Sequence, residues 1–215
     1  HPLVWFYAVA YACTGAVRHS SDQLSILYFE EQLGLDLGNP TMAIYVTMTL
    51  VPIVAFAGSL SSGIISDKFF KGRRAPVAMV LYFFEALVIG ISAVILLAGL
   101  VGPSQMGVFI GCFILIMISL TVNSTHSIVG AAAPMDIGGK KMAGFAAGVI
   151  DSFQYYGAAL SLFITGRVLD ATKETHGWLF WYVIMAAFGI LGGVAMYALM
   201  IKQRRLKEAG RVVAG

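Results

Sequence analysis

Apolar residues run along this chain in long stretches separated by short polar or glycine- and proline-containing links. The stretches cover residues 3–29, 41–65, 77–101, 105–133, 142–169 and 178–201. A bilayer core of about 30 Å is crossed by about 20 residues of apolar helix, and longer spans tilt. The pattern therefore predicts an all-α membrane protein of six transmembrane helices. The first stretch is interrupted by a polar patch running from Arg18 to Gln23. The links expected between helices are 34–40, 67–75, 102–104, 134–141 and 170–177. Links this short force successive helices to run antiparallel and leave no room for a second domain. The chain opens at His1 and enters an apolar run at once, so it reads as a segment of a longer protein.

Charge refines this picture through its distribution. Lys68, Lys71, Arg73 and Arg74 fall in the second link and Lys140 and Lys141 in the fourth, while Lys202, Arg204, Arg205, Lys207 and Arg211 fall in the tail, 202–215. The alternate links carry Glu30, Glu31, Asp36 and Glu174, with Lys173 as their basic residue. By the positive-inside rule, the basic links and both chain ends face the cytoplasm. Each basic group adjoins a helix end, which argues against a nucleic-acid surface.

Composition excludes several classes. Hydrophobic residues make up 59% and charged residues 12%, too apolar for a water-soluble core of this size. Cys13 and Cys112 lie inside apolar runs with no metal-ligand spacing, so no zinc site or disulfide framework is expected. No GxSxG, HExxH or phosphate-loop signature occurs, so the chain reads as a non-enzyme without cofactor or metal. Small residues recur at Gly144, Ala147, Gly148, Gly157, Gly189, Gly192 and Gly193, where they permit close helix packing.

Chemistry is sought among ionisable residues inside the spans, each of which costs about 2.5 to 3.5 kcal/mol on insertion scales. Arg18 and Asp22 are one helical turn apart. Arg18 reads either as an anion-binding fork or as half of a structural ion pair with Asp22. His126 lies in a polar stripe with Asn123 that cannot face lipid. It can bind an anion, carry a proton or bond a neighbouring helix. Asp151 lies near Gln154 and Tyr155 and can meet a basic group or couple a proton. Glu85, near the start of the third stretch, reads as a snorkelling side chain or a partner of a basic loop residue, with a role in transport as the remaining alternative.

The second link reads GSLSSGIISDKFFKGRR from Gly58 to Arg74. Its SDKxFxGxR form resembles the signature loop of the major facilitator superfamily, and within it the organophosphate:phosphate antiporters. Val17-Arg18, Asp22-Gln23 and Tyr28 match in the first stretch, and KKMAGFAAG from Lys140 to Gly148, then Phe153, Tyr155, Gly166, Asp170 and Gly177-Trp178, continue the match. Two positions depart from the family's pattern: Thr125-His126 replaces its Gly-Pro pair, and Pro52 replaces its Glu.

The resemblance implies the C-terminal six-helix half of a twelve-helix transporter, in the bacterial inner membrane, working by alternating access with an N-terminal half. Its cargo would be an organic phosphate or related organic anion, exchanged for inorganic phosphate. Arg18 would hold the anionic head while His126, Asn123, Tyr155 and Asp151 shape the pocket. Asp22 would pair with Arg18 in the empty site, and Asp67 with Arg73 or Arg74 in gating. Two other readings remain: a transporter-like sugar-phosphate sensor, and a proton-coupled carrier of an organic anion.

Overall fold

The computed structural model describes residues 2–208, excluding the side chains of Pro2, Ala132, residues 135–141 and Lys173. The charged side chains of Lys140, Lys141, Lys173 and Arg211 thus lie outside the described set. The described chain is all helical: α1 (Pro2–Glu31), α2 (Met42–Phe70), α3 (Arg74–Leu97), α4 (Gln105–His126), a π-helical turn (Ser127–Ala132), α5 (Ala133–His176) and α6 (Leu179–Glu208).

Four described helical segments are long and apolar enough to cross a membrane: α2, α3, α4 with its π turn, and α6. The expectation of six such segments is corrected by α1 and α5. Both are long, but α1 carries Arg18, His19 and Asp22, and α5 carries Asp151, Gln154, Arg167 and Asp170. Arg18 and His19 of α1 meet Gln154 of α5 inside the bundle, while Asp22, Asp151, Arg167 and Asp170 are exposed, so neither helix is apolar throughout its length.

The expected links at 134–141 and 170–177 are also corrected, because α5 stays helical from Ala133 to His176. Pro134 would ordinarily break a helix by removing one backbone N–H and crowding the carbonyl four residues earlier. Here it follows the wider π turn, which relaxes that crowding. Between α2 and α3 the turn is tight, with Lys71 (φ 54) and Gly72 (φ 75) both left-handed and both backbone N–H groups returning to the Ser66 carbonyl.

The helices pack chiefly in three pairs: α1 on α5, α3 on α6 and α2 on α4. Glycines set the closeness. A Cβ on Gly157 would overlap the Ala12 carbonyl, and one on Gly15 the Gln154 carbonyl, so α1 and α5 touch backbone to backbone. Gly189, Gly192 and Gly193 accept Ala86, Tyr82 and Phe83 of α3 in the same way. Gly144 and Gly148 do not share this role, since nothing lies within 4 Å of a Cβ built on either.

The two ends of the bundle differ in charge. Tyr7 of α1, Arg73 and Arg74 at the start of α3, and Arg204 and Lys207 of α6 surround one cavity, and Lys202 Nζ lies 5.1 Å from the Phe6 ring. At the other end, Gln32 donates to the Val101 carbonyl at 3.2 Å, and Tyr28 packs edge-on against Trp178. That second end carries Glu30, Glu31 and Asp36.

Candidate functional site

Arg18 lies about 20 Å from either end of α1, too deep for its head to snorkel out. The crossing of α1 and α5 at Gly15 and Gly157 carries Gln154 up to it. Gln154 is buried, and its neighbours fix how its amide points. The amide nitrogen donates to Tyr11 Oη at 2.9 Å and Asp151 Oδ1 at 3.2 Å, and the amide oxygen accepts from Arg18 Nη1 at 3.2 Å. The reverse orientation would set the amide oxygen against acceptors and its nitrogen against a donor.

From Gln154 the network continues to α4. Tyr11 Oη lies 2.8 Å from His126 Nδ1, with the rings stacked at 5.4 Å between centroids. Because Gln154 already donates to this oxygen, the phenol O–H is left to donate to Nδ1, an arrangement that requires the imidazole proton on Nε2. His19 joins on the other side, with Nε2 3.3 Å from the Gln154 amide and its ring 5.6 Å from that of Tyr155. Three helices thus contribute to one polar cluster: Tyr11, Arg18 and His19 from α1, His126 from α4, and Asp151, Gln154 and Tyr155 from α5.

The expected ion pair of Arg18 with Asp22 is loose. Nε and Oδ2 are 3.9 Å apart, and the Asp22 side chain is 47% exposed. Arg18 Nε is buried and has no hydrogen-bond partner among the described residues. The planar guanidinium therefore keeps donor capacity that Gln154 and Asp22 do not consume, which suits an oxyanion such as phosphate or carboxylate.

Next to it is a cavity of about 180 Å³ whose wall carries Ser21, Asp22, Ser25, Thr47 and Ser119 together with the apolar Phe29, Met48, Val51 and Leu115. Each of these hydroxyls gives its proton to a main-chain carbonyl: Ser21 to Arg18, Ser25 to Asp22, Thr47 to Ala43 and Ser119 to Val51. What they offer the cavity is lone pairs, so the chamber favours a guest with O–H or N–H donors. A larger cavity of about 1040 Å³ between α2 and α4 is walled mainly by apolar side chains such as Val46, Leu50, Phe109 and Phe113, and lacks charged groups.

Other sequence candidates lie outside this network. Asn123 is one turn before His126, and its amide donates to the Ser119 carbonyl at 2.9 Å. At the basic end, Asp67 pairs with Arg74 at 2.8 Å, and Arg74 also reaches Ser66 Oγ at 2.8 Å. Arg73, the alternative partner, instead occupies the N-cap of α3, with Nε 3.5 Å from the Phe70 carbonyl. Glu85 neither snorkels nor pairs with a basic loop residue. It lies midway along α3, fully buried, where Oε2 is 3.0 Å from Thr125 Oγ1 of α4.

The sequence reading missed Gln154 and Tyr11 as members of the site. Helical spacing carried a signal for both: Gln154 follows Asp151 by one turn, and Tyr11 precedes Arg18 by two. Among the described residues no group of His, Cys, Asp and Glu could hold a metal ion.

No protein-family model matches the chain. It is 30% identical over 190 residues to the membrane sensor protein UhpC of Escherichia coli (strain K12), a match covering 88% of this chain and 40% of that protein. It is 23% identical over 215 residues to the glycerol-3-phosphate transporter of Haemophilus influenzae, covering 95% of this chain and 42% of the relative. A probable hexose phosphate transport protein of Chlamydia trachomatis is 28% identical over 189 residues, 87% of this chain and 38% of the relative. The chain spans about two fifths of the length of these curated relatives. At the family level it is similar to organophosphate and sugar-phosphate transporters of the major facilitator type, and its relatives are sensor and transport proteins. With its apolar helices, this makes it an integral membrane protein.

Proposed function

We propose that the chain is the C-terminal, six-helix half of a twelve-helix secondary transporter in a bacterial inner membrane. It moves an organic phosphate or related organic anion by alternating access, in exchange for inorganic phosphate. The observation that carries this reading is Arg18: a deeply placed guanidinium held by one Gln154 contact, with a loose carboxylate and an unpartnered Nε.

In this mechanism Arg18 grips the anionic head through charge-assisted bonds, and Asp22 is its partner when the site is empty. His126 offers Nε2–H to a second oxygen while Tyr11 holds its ring. Asp151 orients Gln154, and Tyr155 and Asn123 line the space around the organic part. The hydroxyl chamber beside Asp22 accepts hydrogen bonds from a polyhydroxylated body. An N-terminal half supplies a second basic residue across the cleft. At the basic, cytoplasmic end, where both ends of this segment lie, the Asp67–Arg74 contact shifts when the halves rock, with Arg73 beside it.

The test is counterflow. Proteoliposomes of the whole protein, loaded with inorganic phosphate, should take up labelled phosphate and exchange it for external glycerol or hexose phosphates. A second reading follows from the 30% identical relative, which is a membrane sensor. In that reading the same cluster binds a sugar phosphate and reports it without flux. Tight binding with no counterflow would select the sensor, and absence of both would defeat the two readings together.

A further inference from the structure

We propose that Glu85 is a proton-binding site, occupied in this conformation, whose proton latches α3 to α4 and is given up when that contact opens. Its participation in a transport cycle rests on the transport reading above. Its proton occupancy does not.

Thr125 has one hydroxyl proton but two acceptors in reach: the Thr121 carbonyl at 3.1 Å and Glu85 Oε2 at 3.0 Å. Only one can receive it. A protonated Glu85 satisfies all three groups in sequence, with its O–H donating to Thr125 Oγ1 and Thr125 donating to Thr121. An ionised Glu85 must take the Thr125 proton from the carbonyl, and still leaves Oε1, which is buried and unpartnered, as part of a buried charge.

The surroundings favour the neutral form. Cys13 of α1 and Tyr82 of α3 are the titratable groups within electrostatic reach of Glu85, and neither is a cation; His126 of α4 is turned instead toward Tyr11, Arg18 and His19, and Ala86, one residue on, packs against Gly189 of α6. Tyr82 is already engaged with Thr14 Oγ1 at 2.7 Å and with the Ala10 carbonyl. No Lys, Arg or His among the described residues forms an ion pair with Glu85.

Position gives the latch its use. Thr125 is followed by His126 of the polar cluster and then by the π turn, Ser127–Ala132. π turns are weak points in a helix ladder and recur at functional sites. Bending of α4 there would pull Thr125 from Glu85 and admit water. The proton then passes from Glu85 Oε2 to that water, leaving a carboxylate and a hydronium ion, and returns when the contact closes.

The experiment pairs infrared spectroscopy with proton flux on the whole protein in lipid. Wild type at neutral pH should show a protonated-carboxyl C=O band that is missing from Glu85→Gln and shifted in Thr125→Val, where the carboxyl loses its acceptor. In phosphate-loaded vesicles containing a pH dye, wild type should move protons with phosphate, and Glu85→Gln should lose that movement. An unchanged band in Glu85→Gln overturns the proposal, as does an unchanged proton-to-phosphate ratio. If Glu85→Gln stops phosphate movement altogether, its band decides. A wild type that shows the Glu85 band but moves no phosphate defeats the transport reading while leaving the proton site standing.

Discussion

Replacing Gly157 with alanine tests whether the α1–α5 crossing holds the polar cluster together. A Cβ there would lie 2.8 Å from Ala12 Cα and closer still to the Ala12 carbonyl. Carbon atoms settle at about 3.5 to 4.0 Å, so the contact to the Ala12 carbonyl forces the helices to part locally by more than about 1 Å. Both obstructing atoms belong to the backbone, so no rotamer change relieves the overlap. Overpacking of this kind costs about 1 to 3 kcal/mol. In a chain of this size each kcal/mol lowers the melting temperature by about 2 to 4 °C, which gives a fall of about 2 to 12 °C. The assay is fluorescence-detected thermal unfolding in detergent, with Gly148→Ala as the control. Gly148 has open space around its Cβ position, so alanine there should be neutral or slightly stabilising. Because Gln154 is one turn from Gly157, the Gly157 variant should also bind phosphate more weakly. If Gly157→Ala melts with wild type and binds as well, the crossing is looser than described and this reasoning is wrong.

Three further outcomes are expected. Gln154→Leu should insert and fold but bind phosphate at least several-fold more weakly, because it strands Tyr11 and Arg18; unchanged affinity in a titration would remove Gln154 from the site. Asp151→Asn should change the preference among organic phosphates while expression holds, and loss of the protein from the membrane would mark Asp151 as structural. Single cysteines at Lys71 and Asp36 should react with an impermeant thiol reagent from opposite membrane faces; labelling from the same face would break the topology.

Long apolar runs made the helical class legible from sequence, because a membrane span needs little beyond length and apolarity. Two of the three helices that build the site, α1 and α5, were the hardest to describe that way. α1 and α5 can afford Arg18, His19 and Gln154 since these meet across the helix pair, and that contact is a tertiary fact. The helix through 134–141 was hidden for a related reason: Pro134 signals a break, and only the preceding π turn removes it. Ionisable residues inside spans pointed to Arg18, His126 and Asp151, which the fold brings into one network. Uncharged Gln154 carried no such signal, although it joins Arg18, Asp151 and Tyr11. An apolar stretch that opens at Val77 sets Glu85 near a helix end, whereas α3 starts at Arg74 and ends at Leu97, so the residue lies at mid-helix, facing α4.

The central claim is that Arg18 grips an oxyanion through its fork and does not serve only as a partner for Asp22. Isothermal titration of inorganic phosphate into the purified whole protein, wild type and Arg18→Lys, tests it most directly. Lysine keeps the charge but loses the paired donors, and losing such a contact costs about 2 to 5 kcal/mol, a drop in affinity of about 30-fold or more. The account predicts that drop in a variant that still inserts and melts near wild type. Phosphate binding by Arg18→Lys at wild-type affinity would contradict it and leave Arg18 as a structural ion-pair partner.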